Sequence, residues 1–264
     1  MKTASAFVAC LGASVILTGS ASAQWITIRL PQTPRKADGK PNLTAPAPRA
    51  PDGKPDLSGI WTRVAATKKD NEANFNLLDW MPEGAQIRMR PEAAAIYQHR
   101  RDVLLGGGRP SEQCLPHSIP DAMLPGVNFK IVQNPGLTMI LYEEFNHFRQ
   151  IHTDGRALPV DPQPAWFGYS TGKWDGSVFV VETAGFNDRS WLDDTGHPHG
   201  EAMKTTERFR RVDFGHMDMQ VTIDDPQTYL EPFTATIHFT LQPDTELLEG
   251  ICENEKDSSH IVGK

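Results

Sequence analysis

Apolar and polar residues alternate along two segments in the C-terminal half of the chain. In residues 217–224 and again in residues 233–242, every second residue is apolar and the residues between them are polar. A period of two places the apolar set on one face of a β-strand and the polar set on the other. Both segments are therefore predicted strands with one buried face.

Short turn signals divide the region from Asn128 to Gln242 into further apolar runs. They include Asn134-Pro135-Gly136, Thr153-Asp154-Gly155 and Asp175-Gly176. The first strand is expected at 57–64 and the last at 245–254. So many closely spaced strands without crossover helices favour closure or a strongly bent sheet. We predict a mainly β fold, a single antiparallel barrel of nine to ten strands.

A helical insertion is predicted after the first strand, at about 82–127. Residues 91–105 begin with proline and end at three glycines, which is typical of a helix. A proline-rich loop follows at 114–126. This insertion can cover one mouth of the barrel, which then spans 57–264.

The first 23 residues have the features of a signal peptide. Lys2 is followed by an apolar stretch and by Ala21-Ser22-Ala23, an A-x-A cleavage site. The apolar stretch is shorter than the ~20 residues of a membrane span. We expect export to the periplasm or medium after cleavage near Ala23, without membrane insertion; an anchored form using Cys10 is the alternative. Residues 24–56 then form a proline-rich extended arm.

The charge of the chain limits the kinds of partner that it can bind, and its cysteine content indicates the compartment. Without Lys2 the chain has 33 acidic and 25 basic residues and no basic patch, which argues against nucleic acid as a partner. The two cysteines left after cleavage, Cys114 and Cys252, are predicted to form a disulfide, as is common in exported proteins. Two buried thiols are the alternative. Nothing in the sequence specifies the oligomeric state.

The opening Gly59-x-Trp61, followed by a long antiparallel meander, resembles the lipocalin-like (calycin) barrels. The resemblance implies a barrel over roughly 57–255, with the Trp61 ring lying across its floor beside a glycine. The segments PDLSGIW, TDGR, VVET-GF and TERFRR are also similar to those of a group of secreted bacterial proteins with no assigned activity. That second resemblance implies no chemistry.

Three charged residues are predicted to face the barrel interior. Glu207 shares a face with Met203 and Phe209, and Glu182 is placed inward by the same logic. Arg149 is a candidate partner for either carboxylate, because a buried charge is costly unless it is paired. The group is either a structural ion pair or a polar anchor and acid/base for a ligand.

The pair His197 and His199 is a candidate metal site, because two imidazoles two residues apart can bind one ion from an extended backbone. The alternative is a solvated turn. The third ligand would come from one of the nearby acids or from another histidine: Asp193, Asp194, Glu201, His152 or His216. We predict no other cofactor.

Several aromatic side chains are candidates for contacting a ligand or for packing in the core: Trp61, Tyr142, Trp166, Tyr169 and Phe209. The chain has no G-x-S-x-G elbow, phosphate loop or dinucleotide fingerprint. The leading hypothesis is binding of a small, largely apolar molecule inside the barrel. The alternatives are a cofactor-independent lyase, isomerase or cyclase with an interior Glu and a His, and an envelope interaction protein with a filled barrel.

Overall fold

The computed structural model describes residues 28–66, 75–104 and 108–252, so the predicted signal peptide lies outside the described residues. Its β-sheet closes into a barrel of nine strands. The strands are β1 (Gly59–Arg63), β2 (Phe129–Asn134), β3 (Leu137–Tyr142), β4 (Phe148–His152), β5 (Tyr169–Asp175), β6 (Val178–Ala184), β7 (Lys204–Arg211), β8 (His216–Asp224) and β9 (Phe233–Leu241). The predicted mainly β barrel is confirmed.

Each strand pairs with the next one along the chain, and β9 pairs with β1 to close the barrel. The pairs are antiparallel with one exception, because β4 and β5 run parallel. The chain from 153 to 168 crosses the length of the barrel between them, so the prediction of a purely antiparallel sheet is wrong there. The prediction of a further strand at 245–254 is also wrong for the described part of that segment, up to residue 252. There, Gly250 forms only an isolated bridge to Glu144. With β1 already paired on both sides, no barrel edge is left for it.

The predicted alternation in β8 and β9 sets the inward face of the barrel. Met217, Met219 and Val221 on β8 are buried, and their registered partners Phe239, Ile237 and Ala235 on β9 are buried with them. Small closed barrels are filled by such side chains. The middle of this barrel is therefore a packed core.

Gly59 and Trp61 lie at one end of the barrel, which we call the floor. Trp61 is fully buried, and its indole Nε1 donates a hydrogen bond to the Leu57 carbonyl at 3.0 Å. Gly59 has φ of 139°, and a Cβ there would come within 2.6 Å of the Leu241 side chain. The backbone angle favours glycine at this position, and any larger residue would also force the Leu241 side chain to move.

The opposite end of the barrel, which we call the mouth, is covered by the predicted insertion. Its helix α1 (Pro91–His99) continues as a π-helical turn to Leu104. Leu77 and Trp80, in a short 3₁₀ turn, are buried in the core. The Tyr97 ring of α1 stacks on His197 with ring centres 4.3 Å apart. The insertion and the loop from 185 to 203 thus close the mouth together.

The proline-rich arm is docked on the floor. Backbone amides of Phe214 and Gly215 donate to the carbonyls of Ala45 and Leu43 at 2.8 and 2.7 Å. Arg35 forms an ion pair of 2.7 Å with Asp244, just beyond β9. These contacts make the described part of the arm a cover for the floor end.

The predicted disulfide is confirmed between Cys114 and Cys252, with Cα atoms 5.6 Å apart. It joins the insertion to the tail that follows β9, instead of to a last strand. No helix of the described residues is both long enough and apolar enough to cross a membrane.

Candidate functional site

Arg149 and Glu207 form an ion pair inside the barrel. The strands β4 and β7 direct both side chains inward, and their relative exposures are 2% and 0%. Arg149 Nη1 donates to Glu207 Oε1 at 2.9 Å, and Nη2 donates to Oε2. The inward position of Glu207 and its pairing with Arg149 follow the sequence prediction.

Two hydroxyl groups also accept hydrogen bonds from the guanidinium of Arg149. Arg149 Nε donates to Ser170 Oγ at 3.1 Å, and Nη2 donates to Thr183 Oγ1 at 2.8 Å. Burial alone would lower the pKa of Arg149, but the charge and hydrogen bond of Glu207, together with Tyr142, outweigh that effect, so the pKa is raised. Both oxygens of Glu207 are already bonded to Arg149, which favours a structural role for the pair.

Glu182 points outward, so its predicted inward position is wrong. Its side chain is 52% exposed and lies 3.2 Å from Lys173 Nζ. The inward residues of β6 are Phe179, Val181 and Thr183. Because Val178 and Val180 are apolar too, alternation alone could not distinguish the two faces of this strand.

The five predicted ligand-contacting aromatic residues are spread over the molecule. Trp61 lies at the floor, and Tyr142 and Phe209 are buried in the packed interior. Trp166 and Tyr169 are half-buried and have different neighbours: Arg189 lies over the Trp166 ring at 5.2 Å, whereas the Tyr169 ring centre lies 5.1 Å from that of His152. The structure does not bring the five together into one pocket.

A cavity of about 500 Å³ lies at the floor end, between the arm, the tail after β9, and strands β1 and β2. Its wall combines the outer face of the barrel with its rim. The apolar lining residues include Leu30, Ile60, Val132, Phe214 and Leu241. The arm supplies part of the wall, so the cavity exists because the arm is docked.

Arg211 is the buried charge beside this cavity. Its guanidinium donates to the carbonyls of Asp213, Asp56 and Phe214 and lies 4.9 Å from the centre of the Trp61 ring. Burial lowers its pKa to about 10. Sequence reasoning missed Arg211, although continuing the alternation from Glu207 and Phe209 places it inward.

His197 and His199 are both buried, so the solvated-turn interpretation is wrong. His197 Nδ1 lies 2.7 Å from Asp193 Oδ2, whereas His199 Nε2 lies 2.7 Å from Ser190 Oγ. The two rings have separate partners, and the structure does not bring them together as ligands of one ion. Burial lowers the pKa of His199 to about 4, so the ring is neutral.

A second imidazole–carboxylate group, which we call the mouth cluster, consists of His117, Asp121, Glu144 and Asp194. His117 Nδ1 lies 2.5 Å from Asp121 Oδ2, and His117 Nε2 lies 3.4 Å from Glu144 Oε1. Burial raises the pKa of Asp121 to about 7. For His117, burial is outweighed by the charges and hydrogen bonds of Asp121 and Glu144 together, so its pKa is raised.

Sequence reasoning missed the mouth cluster, because its members come from three loops. The spacing of four residues between His117 and Asp121, within an irregular proline-rich loop, was the only local signal. Glu144 follows β3, and Asp194 lies in the loop between β6 and β7.

Comparisons with protein-family models, with curated proteins and with solved structures gave no match. The class of this protein is therefore defined by its geometry: a closed nine-stranded barrel with a covered mouth, an arm-covered floor and a cavity beside that floor.

Proposed function

We propose that this protein is an exported, lipocalin-like barrel that binds a small, largely apolar molecule in the cavity at the floor. The observation that carries the proposal is the cavity of about 500 Å³ with its mainly apolar wall. Small-molecule sites in proteins typically measure ~300–1,000 Å³ and are lined mostly by apolar side chains. The cavity fits that description in both size and lining.

The proposed ligand position, in the floor cavity, differs from the position inside the barrel that was expected from the sequence. The middle of the barrel is filled by large side chains, including Phe129, Phe209 and Phe239, and by the Arg149–Glu207 pair. A ligand there would have to displace packed core residues at a high energetic cost. The floor cavity needs no such displacement.

The polar groups of the cavity favour a ligand with one acidic group. Among the described residues, Arg211 forms no ion pair: its guanidinium bonds to carbonyl oxygens, while the charges of Asp56 and Asp213 act on it from a greater distance. Lys130, also on the wall, lies 3.5 Å from Glu246. An anionic end on the ligand would gain a charge-assisted contact at this rim.

The disulfide supports export. Disulfides persist in oxidising compartments and are rare in the cytosol. The Cys114–Cys252 bond joins two segments separated by 138 positions. Together with the leader features of residues 1–23, it supports a periplasmic or secreted location.

Titration with anilinonaphthalene sulfonate tests this function, because the fluorophore is apolar and has one acidic group. Val132→Trp places a large ring in the cavity wall and is expected to weaken probe binding by at least about tenfold. Val178→Trp is the matched control, since Val178 is also half-buried on a strand but does not line the cavity. We expect it to bind the probe as the original protein does.

Native mass spectrometry of the protein from its own host gives the identity of a retained ligand. Equal probe binding by both tryptophan variants would contradict a site in the floor cavity. An absence of any bound small molecule and of probe binding would favour the interaction-protein alternative.

A further inference from the structure

The geometry points to a divalent-cation site in the mouth cluster, with His117, Asp121 and Asp194 as ligands. One potential ligand atom from each residue lies within 4.8 Å of the other two. Around an ion with bonds of ~2.1 Å in tetrahedral geometry, ligand atoms lie about 3.4 Å apart. Small side-chain rotations therefore suffice to bring the three groups to bonding distance.

A separate observation at Asp121 points to a missing partner. Asp121 is only 3% exposed, and one of its oxygens, Oδ2, faces His117. The other oxygen, Oδ1, is buried and has no hydrogen-bond partner among the described residues. Buried carboxylate oxygens are normally satisfied, and a metal ion is one group that satisfies them.

Asp194 is also available to an ion. The nearest cation to Asp194 is Arg109, whose Nη1 lies 3.8 Å from Asp194 Oδ2, while the closer contacts of Arg109 go to Glu112 at 3.0 and 3.1 Å. Asp194 is thus weakly paired. The cluster holds three carboxylates around one imidazole, an arrangement that attracts a cation.

Glu144 fits the role of an outer partner. Histidines that bind metals through one ring nitrogen commonly donate the other N–H to a carboxylate. Glu144 Oε1 lies 3.4 Å from His117 Nε2, on the side of the ring away from Asp121. This leaves Nδ1 of His117, the nitrogen beside Asp121, to bind the ion.

The donor set indicates the class of metal. One imidazole nitrogen and two carboxylates suit zinc, manganese, cobalt or ferrous iron better than the all-oxygen sites preferred by calcium and magnesium. Asp121 belongs to the insertion and Asp194 to the loop between β6 and β7. An ion here therefore joins the two segments that close the barrel mouth.

The test is calorimetric titration of the full, tag-free exported chain with zinc, and separately with manganese and cobalt. We expect one ion per chain, and a visible absorption spectrum of the cobalt form that is altered by His117→Asn. Asp194→Asn, which keeps the side-chain volume, should weaken binding by at least about tenfold. Asp175→Asn is the matched control, because it makes the same change at an exposed carboxylate at the end of β5, outside the cluster, and should leave binding unchanged.

Circular dichroism of each variant establishes that it is folded. If Asp194→Asn does not fold, the cobalt spectrum of His117→Asn decides the question. Two results would overturn the site: no binding of any of the three ions by the original protein, or equal binding by Asp194→Asn and Asp175→Asn. Neither result bears on the floor cavity, which lies at the other end of the barrel.

Discussion

The guanidinium of Arg149 and the carboxylate of Glu207 meet inside the barrel, although 58 positions separate them in the sequence. Both oxygens of the carboxylate and both terminal nitrogens of the guanidinium take part. Burial of each charge is offset by the other, and hydroxyl groups of Ser170 and Thr183 accept the remaining contacts. The pair holds β4 to β7 across the interior.

Replacing Glu207 with glutamine should destabilise the protein. The amide keeps the volume but leaves the Arg149 charge buried and unpaired, so we expect a loss of about 3–5 kcal/mol in the free energy of unfolding, measured by urea denaturation. Glu182→Gln is the control. Its exposed pair with Lys173 should contribute less than about 1 kcal/mol. Unchanged stability of Glu207→Gln with weaker ligand binding would instead favour a functional role for Glu207.

The disulfide prediction is tested chemically. Thiol titration of the unfolded, unreduced chain of residues 24–264, which lacks Cys10, should find no free thiol, and two free thiols would contradict the bond. Cys252→Ser should lower the free energy of unfolding by about 4–5 kcal/mol in the chain-entropy model, because the bond closes a loop of 138 positions. Reduction of the original protein should give the same loss, and reduction of Cys252→Ser should give none.

His199 should make the protein less stable in acid. The ring has a pKa of about 4 when folded against an ordinary value of 6.5, so the unfolded chain binds a proton that the folded protein does not. Stability that is fully present above pH 6.5 is therefore lost as the pH falls towards 4, by about 3 kcal/mol in all.

The difference in the free energy of unfolding between the original protein and His199→Gln separates the contribution of His199 from that of other titrating groups. Urea denaturation at several pH values should show a flatter profile for His199→Gln over this range. His99→Gln is the control, since His99 is exposed on α1. An unchanged profile for His199→Gln would show that the folded ring titrates near its ordinary pKa.

Gly215 is in direct contact with the arm at the floor, where its amide donates to the Leu43 carbonyl. A Cβ there would lie 2.4 Å from Leu43 Cβ and 2.9 Å from Leu43 Cα. Gly215→Ala should displace the arm, at a cost of about 1–3 kcal/mol, and expose residues 28–56 to limited proteolysis. Gly200→Ala is the control, because its nearest contacts would be ordinary at 3.7 and 3.8 Å. Equal protease resistance of the two variants would contradict a tightly docked arm.

The direction of a side chain could be predicted from the sequence only in strands where apolar and polar residues alternate clearly. In β7, Glu207 and Phe209 alternate with the basic residues Arg208 and Arg210, and the structure follows that alternation. In β6, apolar residues occupy both faces around Val180, and the prediction for Glu182 was wrong because period two gave no preference.

The floor cavity and the mouth cluster could not be predicted from the sequence for a different reason. The floor cavity joins the arm, β2 and the tail, and the mouth cluster joins the loop at Asp121, the turn at Glu144 and the loop at Asp194. Irregular loops have no repeating pattern from which the direction of a side chain follows. Only the closed barrel brings these segments together.

The strand count has a consequence for where the wall is weakest. Directions can alternate around a closed ring only if the number of strands is even, so a ring of nine must contain a place where two neighbours run the same way. Here that seam is β4–β5, whose register contains only Ile151 with Ser170 and His152 with Thr171. Parallel pairing is also slightly weaker per residue. Arg149 on β4 donates a hydrogen bond to Ser170 on β5. The residue that forms the buried ion pair therefore also links the two strands at the weakest pairing of the barrel wall.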